Sequence, residues 1–378
     1  MSALLTPLKV GSVTIPNRVG MSALTRSRAT NTVPNDVMLE YYVQRAEGGA
    51  GLIVTEGVLI TPQGTEWQEA PGIWNQAHID GWKKIIDAVH ARGSKIYAQL
   101  WHLGRVSHPD APQQIAAGVP VYGPSPIAAR GGKFRFLPGS PGYVTPTELP
   151  DPKTIIALFK QAGVNAKAAG FDGVELHAAN GYLPNQFLDS TSNKRTDSYG
   201  GSAANRSRFI LEALAALQEV YPQDVSIKLS PTGGYNDMGM PLDETLDTFG
   251  YLLTQIDQLP NPLSYVVLAR YNPFLDVELD GKLRATQFDV VEALKGYVTR
   301  SLLFVNSALQ VADAEAYVGD GTGVVKGVFF GLHWLTHPDL TRRIEQGKPL
   351  DNTPDFAHLY GAEGVDPAIG YTDYKVAV

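Results

Sequence analysis

Residues 152–182 read PKTIIALFKQAGVNAKAAGFDGVELHAANGY. Apolar residues recur at three- and four-residue spacing through its first half, which predicts a helix, and Gly170 stands where that helix would stop. The run Gly173–His177 that follows is a short buried strand by its apolar content, and it delivers His177, Asn180 and Tyr182 within six residues. One helix–strand unit is thus legible at the centre of the chain. The same unit recurs on both sides. Strand-like runs occupy Asn17–Ala23, Gly51–Gly57, Lys95–Trp101, Gly173–His177, Val225–Pro231, Tyr265–Arg270, Leu302–Ser307 and Val324–Gly331. Helical spacing lies between several of them, in HIDGWKKIIDAVHARG (78–93) and NRSRFILEALAALQEVY (205–221). Eight strands alternating with helices predict an α/β fold, an eight-stranded (β/α)8 TIM barrel, over an open doubly wound sheet. The opening LKVGSVTIPNR predicts an N-terminal hairpin capping the barrel floor. A Gly/Pro-rich excursion after strand three, 102–150, is too long for a plain connection and is expected to shape an active-site rim.

The chain has 378 residues, and barrels of this kind run that long as one unit with insertions, so 1–378 is read as a single domain with 351–378 as a C-terminal segment over the pocket. A net charge of −7 argues against nucleic acid or an anionic membrane as partner. No apolar run approaches the roughly 20 residues that span a bilayer, and MSALLTPLKVG lacks the regions of a signal peptide, so a cytoplasmic protein is expected. There is no cysteine, which removes disulfides, thiolate nucleophiles and cysteine-ligated metals. His333 and His337 are four apart but carry no HExxH pattern, so no metal is expected.

Chemistry in such barrels sits at the C-terminal ends of the strands. Those ends carry Thr25, Glu56 with Gly57, Gln99, His177 with Asn180 and Tyr182, Lys228, Arg270, Asn306 with Ser307, and Gly331 with Leu332. Any one of these alone is better explained by a bond to its own loop. Together they predict a pocket.

Four stretches give that pocket a resemblance: PLKVGSVTIPNRVGMSALTRSRA (7–29), YAQLWHLGRVSHP (97–109), GFDGVELHAANGYLPNQFLDSTSNKRTDSYGGS (170–202) and GAEGVDPAIGYTDY (361–374). In this order they resemble the old yellow enzymes, FMN-dependent ene-reductases on an eight-stranded α/β barrel. The resemblance implies that the chain binds FMN, takes hydride from NADPH or NADH, and reduces the C=C bond of an enone-type small molecule, as a monomer or homodimer. It implies flavin contacts from Thr25, Gly57, Gln99 and Lys228, and phosphate contacts from Ser307, Gly331 and Leu332. His177 and Asn180 match the pair gripping the substrate carbonyl, and Tyr182 the proton donor. Trp101 and Tyr371 match substrate-pocket residues.

The departures cluster at the phosphate. Ser307 stands where a glycine is usual, and Leu332 where an arginine pairs with the phosphate. Losing one charge-assisted hydrogen bond is worth about 1.5–3 kcal/mol, or one to two orders of magnitude in binding. Lys228 replaces an arginine, which keeps the charge but not the planar fork. Backbone amides could still hold a phosphate, or another basic residue could reach in, with Arg270 and Lys326 as candidates. The sequence leaves open whether FMN is retained. It therefore also leaves a redox-neutral isomerase or cyclase in which His177 and Asn180 polarise a carbonyl without hydride.

Overall fold

The computed structural model describes residues 2–67, 69–131 and 142–377. Eight parallel strands close into a barrel: Val19–Met21, Leu52–Leu59, Lys95–Trp101, Gly173–Ala178, Val225–Leu229, Tyr265–Ala269, Leu302–Asn306 and Val325–Phe330. Each pairs with its sequence neighbours, and the last closes on the first through Val328 opposite Val19. All eight strands expected from the sequence are present. The first is much shorter than Asn17–Ala23. Asn17 ends it from below, its Oδ1 accepting from the Val19 amide at 3.0 Å and its Nδ2 donating to Gly49 O at 2.8 Å. The second runs two residues past Gly57, with an irregularity in register between Val54 and Gly57.

The helices are stopped and started by the residues their ends require. Asp151 caps Pro152–Ala169, and Gly170 closes it in the left-handed conformation at φ 99°. Asn75 caps Gln76–His90, and Ser202 caps Ala203–Gln218. Their apolar faces cover one side of the strands. Ile96, Ala98 and Leu100 of strand three, Val174 and Leu176 of strand four, and Val266 and Leu268 of strand six belong to this outer core. The alternate positions point inward. At the floor they are Leu52, Val54, Tyr97, Tyr265, Val267, Phe304 and Phe329, packed with Val10 and Ile15 of the hairpin. That hairpin, Leu8–Val10 with Val13–Ile15, plugs the bottom as expected.

Asp224 fastens the plug. Its carboxylate accepts from the Ser12 amide at 2.7 Å, from Ser12 Oγ at 2.7 Å and from the Tyr97 hydroxyl at 3.2 Å. Gly11 in the hairpin turn has φ 53°, and a Cβ there would lie 2.3 Å from Asp224 Oδ1, so only glycine fits.

At the other end the excursion after strand three packs back on the barrel, with Tyr122–Gly123 pairing Thr147–Glu148. Of the 102–150 stretch, residues 132–141 lie outside those described. The C-terminal segment crosses the same end and contributes Phe356, Leu359 and Tyr360 to the mouth of the central cavity. Among the described residues no helix is long and apolar enough to cross a membrane.

The floor makes a testable demand. Asp224→Ala removes three hydrogen bonds to one buried carboxylate and should cost about 3 kcal/mol of stability. The readout is a lower urea midpoint at unchanged slope, with the barrel still folded.

Candidate active site

A cavity of about 380 Å³ opens at the C-terminal ends of the strands. Thr25, Gln99, Trp101, His177, Asn180, Tyr182, Lys228, Ser307, Gly331 and Leu332 all line it, although they come from strands or loops far apart in the chain.

His177 reaches the cavity as the last inward residue of strand four, opposite Lys228 on strand five. The chain then has to turn sharply. Asn180 adopts φ 58° and Gly181 φ 73°, and a Cβ on Gly181 would lie 2.6 Å from Asn236 Cβ. The left-handed Asn180 is held from both sides, its amide donating to Ser230 Oγ at 2.8 Å and its carbonyl accepting from Asn236 Nδ2 at 2.9 Å. That anchoring leaves the Asn180 carboxamide to the cavity it lines. Tyr182 follows at the start of the short helix Leu183–Leu188, its ring edge-on to Trp101 at 5.0 Å and to His177 at 4.9 Å.

The protonation states follow from burial. His177 is pushed well below its ordinary value, by burial first and by the Lys228 cation second, so its imidazole is neutral. Its Nδ1 has no hydrogen-bond partner among the described residues, and neither does Trp101 Nε1. Tyr182 is pushed the other way: burial holds its hydroxyl well above 10, with Tyr143, Tyr360 and Glu66 adding to the effect. It keeps its proton throughout the neutral range.

Below them lies a polar layer. Gln99 Nε2 donates to Glu175 Oε1 at 2.7 Å, which fixes the orientation of the carboxamide, and Lys228 Nζ approaches Ser22 Oγ at 3.4 Å. Burial raises the Glu175 carboxyl and lowers the Lys228 ammonium, and each opposes the shift of the other through its charge. Glu175 is a contributor that the sequence reading passed over; period-two alternation, two residues before His177, was the signal that could have found it.

Two loops form a second part of the wall. Ser307 and Ala308 follow strand seven with φ 76° and 49°, and Gly331 leads into Leu332 after strand eight. No acceptor among the described residues engages the backbone amides of Ser307, Ala308, Leu332 or His333. A Cβ on Gly331 would meet only Leu24, at 3.5 Å, so the space in front of it is open. This fits a phosphate held by amides, with Gln99 and Lys228 facing the polar edge of an attached ring. Leu332 brings no charge; its side chain is half exposed.

Two expected residues are elsewhere. Gly57 is not on the cavity wall: it lies inside strand two, where a Cβ would come within 2.5 Å of the Trp101 indole, so its glycine makes room for that ring. Tyr371 is not at the rim. It is fully buried, stacked on Tyr41 at 4.1 Å with the guanidiniums of Arg26 and Arg28 each 5.1 Å from its ring centroid, because the C-terminal segment turns inward there. The aromatic residues that the segment does bring are Tyr360, which packs on Trp67 at 4.8 Å, and Phe356, stacked with Phe274. Tyr235 and Asn272 line the cavity as well, and nothing in their local sequence marks them. His337 Nδ1 lies 2.8 Å from Thr336 Oγ1, and among the described residues no cluster of three or more metal-ligating side chains exists.

The family model described as NADH:flavin oxidoreductase / NADH oxidase matches residues 3–351. The chain is 37% identical over 382 residues to the chanoclavine-I aldehyde reductase of Penicillium roqueforti, covering 99% of this chain and 96% of that one. Among solved structures it is similar to morphinone reductase in complex with tetrahydroNAD, at 36% identity and TM-score 0.85 over 100% of this chain and 98% of the other. It is also similar to the old yellow enzyme homologue from Zymomonas mobilis, at 30% identity and TM-score 0.87 over 99% of each.

Beside the cavity, Glu56 provides a pH test. Burial raises its carboxyl from 4.5 to about 7, against the amides of Arg26 and Ser27 and the nearby guanidiniums of Arg26 and Arg28. A carboxyl raised on folding favours the fold while protonated. That contribution is complete below 4.5 and is lost as pH rises through 7. Glu56→Gln should therefore flatten the pH dependence of unfolding between those values, by up to about 3 kcal/mol. Denaturant melts of both proteins at pH 5 and pH 8 measure it; parallel losses in the two would reject it.

Proposed function

This chain belongs to the NADH:flavin oxidoreductase / NADH oxidase family, that of the old yellow enzymes, and on that premise we propose that it reduces the C=C bond of an α,β-unsaturated carbonyl compound with FMN as cofactor. The observation that carries the proposal is the meeting of a neutral His177, an anchored Asn180 and a protonated Tyr182 on one cavity.

FMN, when bound, supplies the hydride and is itself reduced by a nicotinamide dinucleotide. The residues of the chain supply the rest. Gln99 and Lys228 would hold the polar edge of the flavin ring, Thr25 its carbonyl, and the amides of Ser307, Ala308, Leu332 and His333 its phosphate. His177 and Asn180 each donate a hydrogen bond to the substrate carbonyl oxygen. As negative charge grows on that oxygen both bonds strengthen, which lowers the barrier because the donors are already in place. A neutral imidazole suits this role, since it donates without offering its proton to the oxygen. Tyr182 gives its proton to the α-carbon as general acid. Trp101, Trp67 and Tyr360 wall the cavity with aromatic surface that excludes water. The redox-neutral alternative has no support among the relatives, which are named as reductases and oxidoreductases. Cytoplasmic location and a monomeric or homodimeric state belong to the same proposal, in keeping with the acidic, cysteine-free composition.

His177→Ala or Asn180→Ala should lower kcat for enone reduction by about a hundredfold or more, each removing one preorganised donor. Tyr182→Phe should slow turnover while leaving affinity for a carbonyl ligand nearly unchanged. Steady-state kinetics with 2-cyclohexenone and ligand titration separate these effects. Wild-type rates in both carbonyl-grip variants would remove the assignment.

A further inference from the structure

A flavin mononucleotide carries a phosphate dianion, yet the loops that would receive it present amides and the uncharged Leu332. The basic side chains around the cavity can be taken one by one. Arg26 is held by the carbonyls of Leu359 and Gly370 through Nε and Nη2, and its Nη1, which has no partner among the described residues, is buried. Lys228 sits on the inner layer beside Ser22, with the Glu175 charge acting on it. His177 and His333 are both pushed down by burial and are neutral. Lys326, a candidate from the sequence, is near the floor: a Cβ on Gly323 would lie 3.4 Å from its Nζ.

Arg270 is different. It follows directly on strand six, and its amide donates to Asn306 O at 2.9 Å, which ties it to the start of the Ser307–Ala308 loop. With Asn306 and Ser307 it lines a small pocket adjoining the main cavity. Among the described residues its guanidinium has one side-chain hydrogen bond, to Asp313 Oδ2 at 3.4 Å, and it lies 5.7 Å from the Tyr317 ring centroid. Both members of that ion pair are about a third or more exposed, so it is weak and easily exchanged. Asp313 also accepts from the Gln310 amide at 3.0 Å and keeps a partner if the arginine leaves. A guanidinium has five donors, and among the described residues most of these have no partner.

We propose that Arg270 supplies the counter-charge to the phosphate of bound FMN, approaching the Ser307–Ala308 amides from the strand-six side and taking the place that Leu332 leaves without charge. The proposal rests on the flavin reading above and assigns one residue within it. Arg270 is then a binding residue for the phosphate alone and has no part in gripping the flavin ring.

Riboflavin has the same ring and no phosphate, so it separates the two. Apoprotein is titrated with FMN and with riboflavin, following the quenching of flavin fluorescence, for wild type, Arg270→Ala, Arg270→Lys and Arg270→Ala with Leu332→Arg. Arg270→Ala should weaken FMN binding by about tenfold to a hundredfold and leave riboflavin binding unchanged. Arg270→Lys should recover part of the loss, since it keeps the charge without the fork. The Leu332→Arg addition should restore FMN affinity from the opposite loop. FMN binding by Arg270→Ala equal to wild type overturns the proposal, and so does an equal loss for both flavins, which marks a merely structural role. Wild-type apoprotein that binds neither flavin overturns the flavin reading itself, and this assignment with it.

Discussion

Closing eight parallel strands into one ring sends every second side chain into a single interior column, and the rest of the molecule depends on how that column is filled. Near the floor it is apolar and aromatic: Tyr97, Tyr265, Phe304 and Phe329 pack around Val10 and Ile15 of the hairpin. Towards the C-terminal ends of the strands it becomes polar, with Gln99 opposite Glu175 and His177 opposite Lys228. The pleat permits nothing else, because a residue moved by one position would face the helices. The lower half therefore supplies the packed foundation, and the upper half a large space in which polar groups can meet a ligand.

Polar groups in that space are costly unless they have partners, and the way each is satisfied determines its use. Gln99 is spent partly on Glu175, which fixes its orientation. Asn180 gives its backbone to Ser230 and Asn236, which holds the residue while leaving its side chain to the cavity. His177 and Trp101 retain buried nitrogens with no partner among the described residues. Unpaired buried polar atoms are uncommon, and at the wall of a cavity they are compatible with a ligand as partner. The same burial that leaves them unpaired keeps His177 neutral and Tyr182 protonated, so desolvation prepares both the carbonyl donors and the acid.

The lid over this space is built from arginines acting on backbone. Arg26, Arg28 and Arg45 are buried and donate to carbonyls of the C-terminal segment, including Leu359, Pro367, Gly370 and Tyr371. Three guanidiniums held largely by carbonyls, with Glu56 as nearby carboxylate, make a charge-rich clamp, and burial lowers Arg45 to about 10. The clamp draws Tyr371 into the core and leaves Phe356 and Tyr360 at the mouth.

The sequence by itself determined the barrel, because strand–helix alternation, glycine stops and period-two alternation are local properties that a chain carries wherever it goes. It also determined the His177–Asn180–Tyr182 cluster, since those residues lie within one turn of a strand end. What it could not reach are contacts between segments distant in the chain. Tyr360 rather than Tyr371 lines the cavity because arginines near residue 26 pull on residues near 370. Gly57 makes room for Trp101 because two strands meet in one register, and Arg270, unlike Lys326, stands beside Asn306 and Ser307 because its strand finishes there. Each of these depends on which face and which end a residue occupies once the ring has closed, and only closing the ring sets that.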